Sequence, residues 1–395
     1  MNVLQVNPTN VYPPSDGGQH RSHGLVSAFP EHGDAVYRYC QGGHLSNYLS
    51  AAWKRTEQIA DDYCEFQHLH PLFDLARSPE LFSLPNVFLG HSLRIIKPSR
   101  LLNRLDWADL VLVELPWQVP AVATLAGDTP VVYSSHNVEA ERFESATESA
   151  VETWFTDRVV TLERAALERA DLVVCTSNRD VDEFRRRFDV DFDSYVAPNG
   201  VSEIATTTAD EPAAGTDIRE RHGIEADTVA LFVGTDYGPN REAAAAVLRM
   251  AAEARTRGID VHFLIVGSVC QSLSEGPANV TLAGFVPDLA PYHDVADVGL
   301  NPIASGSGTN IKLLEYLQHG LAVVTTDFGA RGFDISHGTE ALVVPEREFV
   351  TQIAQLQRDP SLRETLEANG TAYIREHHHW RTISSELRRT LAEYV

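Results

Sequence analysis

Short apolar runs alternate with amphipathic stretches through the first half of the chain. The runs are rich in Val and Leu, as in VLQV and DLVLVEL, and predict strands over 3–6, 109–115, 131–135 and 171–177. Amphipathic spacing predicts a helix beginning near Arg21 and a long helix over 148–169, in which Leu162, Ala165, Ala166 and Arg169 share a face. This alternation is typical of a parallel α/β sheet covered by helices.

The same pattern starts again after residue 200. A helix is expected from about Asn240 to Arg257. Strands are predicted over 229–234, 262–267, 280–285, 297–303, 322–326 and 341–345. Two successive series predict an α/β fold of two doubly wound, Rossmann-like domains, and 395 residues are too many for one ordinary core.

The boundary between the two series is expected at SYVAPNGV (194–201). The polar, small-residue segment 202–215 that follows suits an exposed loop, and the tail ends as an amphipathic helix. The predicted domains are therefore residues 1–199 together with a C-terminal helix over 376–395, and residues 200–375.

Charge and composition narrow the class of protein. The net charge is −23, and the 32 basic residues include only three lysines, which leaves 29 arginines. An acid excess of this kind fits a halophilic protein and argues against a nucleic-acid partner. A low-lysine protein of a high-GC mesophile is the alternative, but it would not explain the acid excess. The opening residues lack the features of a signal peptide, no apolar run approaches a membrane span, and the four cysteines form no close pair. We expect a soluble, cytoplasmic protein with reduced thiols.

Ligands of open α/β sheets bind beyond the carboxyl ends of the strands, so the turns after strands carry the candidate chemistry. Gly17 and Gly18 lie in the first such turn, where glycines allow close backbone approach and a helix N-terminus favours an anion. An ordinary glycine turn would look the same.

Two side chains in other turns could contact a ligand. His136 directly follows a strand, where a histidine can bond a hydroxyl or move a proton, or simply cap the strand. Arg241 is expected in the first turn of a helix. An arginine there is unfavourable for the helix dipole unless an anion lies between them, or unless it pairs with a carboxylate such as Glu242.

The stretch SGSGTNIKLLEYLQHG (305–320) is the most informative turn. Thr309 or Asn310 is expected to cap a helix, and Lys312 and Glu315 then lie on one face of it. Backbone N–H groups with an ammonium suit phosphate oxygens, and a neighbouring carboxylate suits sugar hydroxyls. A surface ion pair between Lys312 and Glu315 is the alternative, weakened by the rarity of lysine.

Two acidic or histidine-rich stretches resemble metal sites only superficially. DVDFD (189–193) has the spacing of a metal-binding D-x-D, but such triplets are expected by chance in so acidic a chain. Consecutive histidines in HHH (377–379) point in different directions. No metal is expected.

In motif order and spacing, nearly the whole chain resembles family 4 glycosyltransferases of the two-domain GT-B fold. The matching stretches are the Gly17-Gly18 loop, SSHNVEAER, VAPNGV, VGTDYGPN, NVTLAGFVPDLAPYHDVADVGLNPI and GSGTNIKLLEYLQHGLAVVTTDFGARG. The resemblance implies two Rossmann-like domains facing a cleft, an acceptor-binding first domain, a nucleotide-sugar-binding second domain and a C-terminal helix crossing back to the first.

The resemblance also assigns roles to residues. Lys312 and Arg241 would hold the donor diphosphate, together with backbone N–H groups of Gly17, Gly18 and the turn that includes Ser307, Gly308, Thr309 and Asn310. Glu315 would bind the ribose, His136 the donor sugar, and the backbone at Phe285 and Val286 the base. His136, Lys312 and Arg241 are thus the expected catalytic residues.

The chemistry that the resemblance implies is retaining transfer of a hexose-type sugar from a UDP- or GDP-linked donor. The acceptor would be a hydroxyl of a glycan, a lipid-linked molecule or a small molecule, which leaves room for weak peripheral membrane association. Two positions depart from the family pattern, Ser307 where a glutamate is usual and Thr235 where an arginine is usual. A nucleotide-sugar 2-epimerase and a non-catalytic nucleotide-sugar-binding protein are the alternatives.

Overall fold

The computed structural model of the chain describes residues 1–42, 54–144, 149–202, 214–306 and 308–395. It divides into two compact units, Met1–Asn199 with Trp380–Val395, and Gly200–His379. Each unit is a parallel, helix-covered sheet of the doubly wound type, which confirms the predicted fold class.

The first unit contains an eight-stranded sheet in the order β3-β4-β2-β1-β5-β6-β7-β8, parallel except for the antiparallel pair β3–β4. Its strands are β1 Asn2–Asn7, β2 Ala35–Gln41, β3 Lys54–Ala60, β4 Tyr63–His68, β5 Leu110–Glu114, β6 Val131–Ser134, β7 Leu172–Cys175 and β8 Ser194–Val196. Its α-helices are Gly17–Gly24, Pro71–Arg77, Leu89–Ile96, Ser99–Leu105, Val119–Leu125, Glu139–Glu144, Ala150–Leu167, Asn178–Phe188 and Trp380–Leu391.

The second unit contains a six-stranded parallel sheet in the order β11-β10-β9-β12-β13-β14. Its strands are β9 Thr228–Val233, β10 Val261–Val266, β11 Val280–Gly284, β12 Val298–Asn301, β13 Ala322–Thr325 and β14 Leu342–Val343. Its α-helices are Ala214–His222, Gly238–Thr256, Ala290–Asp294, Ile311–Gln318, Phe349–Arg358 and Pro360–His377.

Both sheets have a point at which the chain reverses its direction of growth. In the first unit this switch lies between β1 and β5, and in the second between β9 and β12. The connections after two strands diverge at such a point and leave a crevice at their carboxyl ends, which is where open α/β sheets bind ligands.

The chain returns to the first unit at its C-terminal helix. The indole of Trp380 packs so closely on Gly24 that a Cβ at Gly24 would lie 2.2 Å from the ring. Ile383, Leu387 and Leu391 fill the same core. The returning segment begins at Trp380 and not at residue 376, because the helix Pro360–His377 continues through 376 and 377 in the second unit.

Candidate functional site

The helix after β1 begins earlier than the sequence predicts. Asp16 caps it, with Oδ1 accepting a hydrogen bond from the Gln19 N–H at 2.9 Å, so the helix starts at Gly17 and the prediction of a start near Arg21 is wrong. The N–H groups of Gly17 and Gly18 consequently belong to the first helical turn and have no acceptor within the helix. This turn can therefore offer backbone donors to an anion.

His136 lies beside this turn, in the loop that follows β6. Its Nε2 is 2.8 Å from Oε2 of Glu114, a fully buried carboxylate at the end of β5. A Cβ added at Gly18 would lie 3.4 Å from His136 Nδ1, so the other ring nitrogen faces the glycine turn. The carboxylate accepts the Nε2 proton, which leaves Nδ1 as the nitrogen directed at Gly18.

Glu114 belongs to a buried polar network. Its Oε1 accepts a 2.6 Å hydrogen bond from Gln5 Nε2, and Gln5 Oε1 accepts one of 2.8 Å from Arg38 Nε. Burial alone would raise the pKa of Glu114, but the bonds from His136 and Gln5 hold it below its usual value. A carboxylate kept ionised inside the sheet fixes the orientation of the His136 ring.

The network extends from Arg38 to the loop that precedes Gly17. Arg38 Nη1 lies 3.1 Å from Oε2 of Glu65, and this oxygen also accepts the N–H groups of Val11 and Tyr12 at 3.1 and 3.0 Å. The loop after β1 and the imidazole of His136 are thus anchored to one continuous set of buried side chains.

A second buried carboxyl group anchors the other end of the His136 loop. Glu163, on the helix Ala150–Leu167, accepts the N–H groups of Glu139 at 2.7 Å and Ala140 at 2.9 Å. Burial raises its pKa to about 8. The helix ends at Leu167, so Arg169, which was predicted to share a face with Leu162, lies beyond it, and Glu163 is fully buried.

In the second unit, Lys312 stands at the switch between β9 and β12. Its Nζ donates a 2.8 Å hydrogen bond to Asn240 Oδ1 and lies 4.5 Å from the ring centroid of Phe232. Burial lowers its pKa to about 7. The turn after β9 and the helix after β12 are therefore joined through a sparsely solvated ammonium that has no carboxylate partner among the described residues.

Glu315 lies one turn further along the same helix and is partly buried. Its pKa is raised by burial, and the charge of Lys312 only partly opposes the shift. No described residue donates a hydrogen bond to its carboxylate, and no ion pair joins it to Lys312. The alternative of a surface ion pair between these two residues is therefore wrong.

Arg241 occupies the first turn of the helix Gly238–Thr256, as predicted. Its Nε donates to Asp236 Oδ1 at 2.6 Å, and the side chain is half exposed. Glu242, the partner considered from the sequence, instead accepts a bond from Ser305 Oγ at 2.9 Å. Arg241 is thus held at the same strand ends as Lys312 with its outer guanidinium nitrogens exposed to solvent.

The turn before Lys312 is built from glycines in left-handed conformations. Gly306 has a φ of 115° and Gly308 a φ of 68°. Asn310 occupies the N-cap position, but its side chain donates to Asn301 Oδ1 at 3.0 Å and does not cap the helix. Thr309 lies within this turn, and Ser307 is outside the described residues. The first N–H groups of the helix Ile311–Gln318 thus have no side-chain acceptor from their N-cap.

The remaining predicted contacts follow β9 and β11. Phe285 is 76% exposed directly after β11, whereas Val286 packs partly on the core. The Thr235 hydroxyl accepts a 3.2 Å bond from Asn240 Nδ2. Thr235 therefore orients the amide that in turn holds Lys312.

One residue of each candidate metal motif has a structural role. His378 is buried with Nε2 3.0 Å from the Tyr373 hydroxyl, and Asp189 ends a helix with a φ of 47°. In the part of the chain that the structure describes, no group of three or more His, Cys, Asp or Glu side chains could hold a metal ion. Within the same residues, no helix has the length and apolar character needed to cross a membrane.

Comparison with known families matches most of the chain. Residues 17–203 match the family "Glycosyltransferase Family 4", and residues 227–359 match "Glycosyl transferases group 1". The alpha-D-kanosaminyltransferase of Streptomyces kanamyceticus is 25% identical over 235 residues. That alignment spans 52% of this chain and 56% of the relative, about half the length of each.

Solved structures resemble the chain over its full length. Sucrose-phosphate synthase from Thermosynechococcus elongatus has a TM-score of 0.73 at 16% identity, with 100% of this chain and 99% of that chain covered. HepE of Anabaena, solved in complex with UDP-glucose, has a TM-score of 0.67 at 14% identity, with 99% of both chains covered. At such identities the likeness concerns the fold.

Proposed function

Because the chain belongs to the family 4, or group 1, glycosyltransferases, we propose that it transfers a hexose-type sugar from a nucleoside-diphosphate donor to a hydroxyl of an acceptor. The observation that carries this proposal is the pair formed by Lys312 and Glu315. A sparsely solvated ammonium and a carboxylate without a described donor stand on one helical face at the switch point of the second sheet. These are the groups that a diphosphate and a ribose require.

The donor diphosphate is proposed to lie across the ends of β9 and β12. Lys312 supplies one fixed cation, and Arg241 supplies another once its exposed nitrogens turn to the phosphates. The N–H groups that begin the helix Ile311–Gln318 add neutral donors. Glu315 accepts the ribose hydroxyls, and the exposed Phe285 segment receives the base.

Catalysis then depends on stabilising the leaving group. The bond between the sugar C1 and the phosphate oxygen breaks, and the acceptor oxygen bonds to C1 on the same face. The departing phosphate takes the acceptor's proton, so that charge balances without a separate base. Fixed cations and backbone donors carry the developing negative charge, so the proposal requires no metal.

In the first unit, His136 is proposed to contact the donor sugar near the reacting carbon. Glu114 holds the imidazole through Nε2, and the glycine turn lies beside Nδ1. The N–H groups of Gly17 and Gly18 are proposed as further donors to the phosphates. The acceptor is proposed to be a glycan, a lipid-linked molecule or a small molecule.

The proposal is tested with a panel of UDP- and GDP-sugars. The donor that raises the melting temperature is incubated with candidate acceptors, and nucleotide release is measured with and without acceptor. Lys312→Ala should weaken donor binding roughly tenfold to hundredfold. Lys97→Ala is a matched control at an exposed lysine of the other unit and should bind like wild type.

Three results would contradict the proposal. Unchanged donor binding by Lys312→Ala would remove the assigned phosphate site. Conversion of the donor to an epimer without any acceptor would assign the chain to the 2-epimerases, and donor binding without turnover would indicate a non-catalytic binding protein.

A further inference from the structure

The first unit exposes an unusual number of large apolar side chains. Of the eleven that are exposed in the described residues, eight come from residues 72–95 and 151–154. Single exposed apolar residues are ordinary, but a concentration of them marks an interaction site. We call six of them the apolar surface: Leu72, Leu75, Leu81, Phe82, Phe88 and Trp154.

These side chains come from elements that contact one another. The helix Pro71–Arg77 continues into a 3₁₀ turn over Ser78–Phe82 and packs against the helix Leu89–Ile96. The ring centroid of Phe88 lies 6.2 Å from that of Trp154. The apolar surface therefore joins two parts of the sequence that are more than 60 residues apart.

The helix Pro71–Arg77 is apolar on two faces. Phe73 and Ala76 face inward and are buried, whereas Leu72 is 43% exposed and Leu75 is 66% exposed. The inner face already fills the core of the unit, so the outer leucines add nothing to folding. Their exposure leaves an apolar face that a partner outside the folded unit can cover.

The charge of this region is opposite to that of the whole chain. Residues 71–105 contain five basic and two acidic side chains, a formal charge of +3 in a chain of −23. Arg94 and Lys97 are exposed and make no ion pair among the described residues, and Lys97 is one of only three lysines. Cations beside exposed leucine and aromatic side chains match the interface of an anionic bilayer.

The apolar surface lies at the functional edge of its sheet. The helix Pro71–Arg77 starts just beyond the carboxyl end of β4. Trp154 is in the first turns of the helix Ala150–Leu167, whose Glu163 binds the N–H groups at the end of the His136 loop. His136 and the Gly17 turn lie beyond the carboxyl ends of β6 and β1 in the same sheet. A partner seated on the apolar surface would therefore be close to the edge that carries His136.

We propose that the apolar surface docks onto an anionic lipid bilayer. A second copy of the chain, packed through the same surface about a two-fold axis, would bring two like-charged patches together, each with Arg94 and Lys97, which disfavours self-association. Docking also fits a lipid-linked acceptor among those proposed above, and this last step alone rests on the proposed function. The surface could not be predicted from the sequence, because no single helix carries both its apolar residues and the basic residues Arg94 and Lys97.

The test is sedimentation of the full chain with vesicles, without donor or acceptor. Vesicles of phosphatidylglycerol should carry the protein down, and vesicles of phosphatidylcholine should do so less, with a difference that shrinks at high salt. The double variant Leu75→Ser/Phe82→Ser should have a partition coefficient onto the vesicles that is at least roughly tenfold lower than that of wild type. Val395→Ser, which alters an exposed apolar residue outside the surface, is the matched control and should bind as wild type.

A further variant addresses the charge. Lys97→Asn suits the left-handed backbone at that position, where φ is 44°, and should reduce binding to phosphatidylglycerol a few-fold while binding to phosphatidylcholine stays the same. Melting temperatures of all variants should match wild type, because the altered side chains are exposed.

Three outcomes would overturn the proposal. The protein could stay in solution with both vesicle types, or the double variant could bind as well as wild type. Alternatively, the wild type could form a dimer in sedimentation velocity that the double variant does not form, which would assign the surface to a second copy. None of these measurements involves sugar transfer, so a result that contradicts membrane docking leaves the proposed function untouched.

Discussion

The imidazole of His136 and the buried carboxylate of Glu114 form a hydrogen-bonded pair, with Nε2 and Oε2 2.8 Å apart at the carboxyl edge of the first sheet. Glu114 is itself tied to Gln5, so its position does not depend on the histidine. The pair fixes which nitrogen of the ring carries a proton and which nitrogen faces the Gly17 turn.

Replacing Glu114 with glutamine should lower kcat roughly tenfold to hundredfold with little effect on the melting temperature. A glutamine amide can donate to Nε2 and so reverse the preferred tautomer, although its size is unchanged. Steady-state kinetics of the variant provide the measurement. Glu141→Gln, which breaks an exposed ion pair with Arg179, is the control and should retain full kcat. Equal rates in both variants would show that Glu114 does not act through His136.

Donor binding should weaken as the pH rises through about 7 and beyond. The pKa of Lys312 in the free protein is lowered to about 7 by burial, so above that pH the amine is partly neutral. A diphosphate favours the ammonium and raises its pKa again, hence binding takes up a proton and affinity falls with rising pH. Calorimetry at about pH 8 in two buffers of different ionisation heat should detect this uptake.

Lys312→Met supplies the comparison for this measurement. Its donor binding should be weaker than that of wild type and should lack the extra proton uptake. An identical buffer dependence in the variant and the wild type would place the titrating group elsewhere.

Glu315→Gln should separate recognition of the ribose from recognition of the phosphates. Loss of the carboxylate should weaken binding of the nucleotide sugar roughly tenfold, because charge-assisted bonds to hydroxyls are lost. Binding of inorganic pyrophosphate, which has no ribose, should be unchanged or slightly tighter. A parallel loss of affinity for both ligands would mean that Glu315 acts only by holding Lys312.

Glu163→Gln should change how stability depends on pH. The folded-state pKa of Glu163 is raised to about 8, so the folded protein holds a proton that the unfolded chain releases at its ordinary value of 4.5. The contribution of Glu163 to the free energy of unfolding is therefore largest below about pH 4.5 and is lost as the pH rises through about 8.

The variant lacks this titration. Its melting temperature relative to wild type should therefore rise steadily between about pH 5 and about pH 9. Differential scanning calorimetry across this range provides the measurement. Asp157→Asn, at an exposed position of the same helix, should keep a constant difference from wild type, and an equally constant difference for Glu163→Gln would contradict the assigned pKa.

Strands with uninterrupted apolar runs were predicted correctly, whereas β2 and β4 were not recognised. β2 reads AVYRYCQ, and the polar residues Arg38 and Gln41 within it are fully buried. Arg38 is stabilised there by Gln5 and Glu65 on neighbouring strands. Gln41 donates to Leu89 O and Ser92 Oγ on a covering helix. Their polarity therefore hides a central strand from any local pattern. The same buried network accounts for the missed role of Glu114.

In the candidate site, too, some residues could be predicted from the local sequence and others could not. His136 lies in a turn, and Lys312 and Glu315 lie just after one, and the local composition of both turns indicates ligand binding. Asn240 and Glu163 have no such local signal, because their roles come from contacts with residues 72 and 24 positions away. Residue types in a turn reveal what could touch a ligand, but the side chains that orient them are set by the folded topology.

The packing of Trp380 on Gly24 has a consequence for biosynthesis. Trp380, Ile383 and Leu387 fill the core beside β1 and the first helix, although the whole second unit, Gly200–His379, separates them from Asn199. During translation, the second unit can close its core as soon as its own residues have left the ribosome. In the first unit, although it is synthesised earlier, the core around Leu25 and Phe29 is completed only after Trp380, Ile383 and Leu387 have also been synthesised.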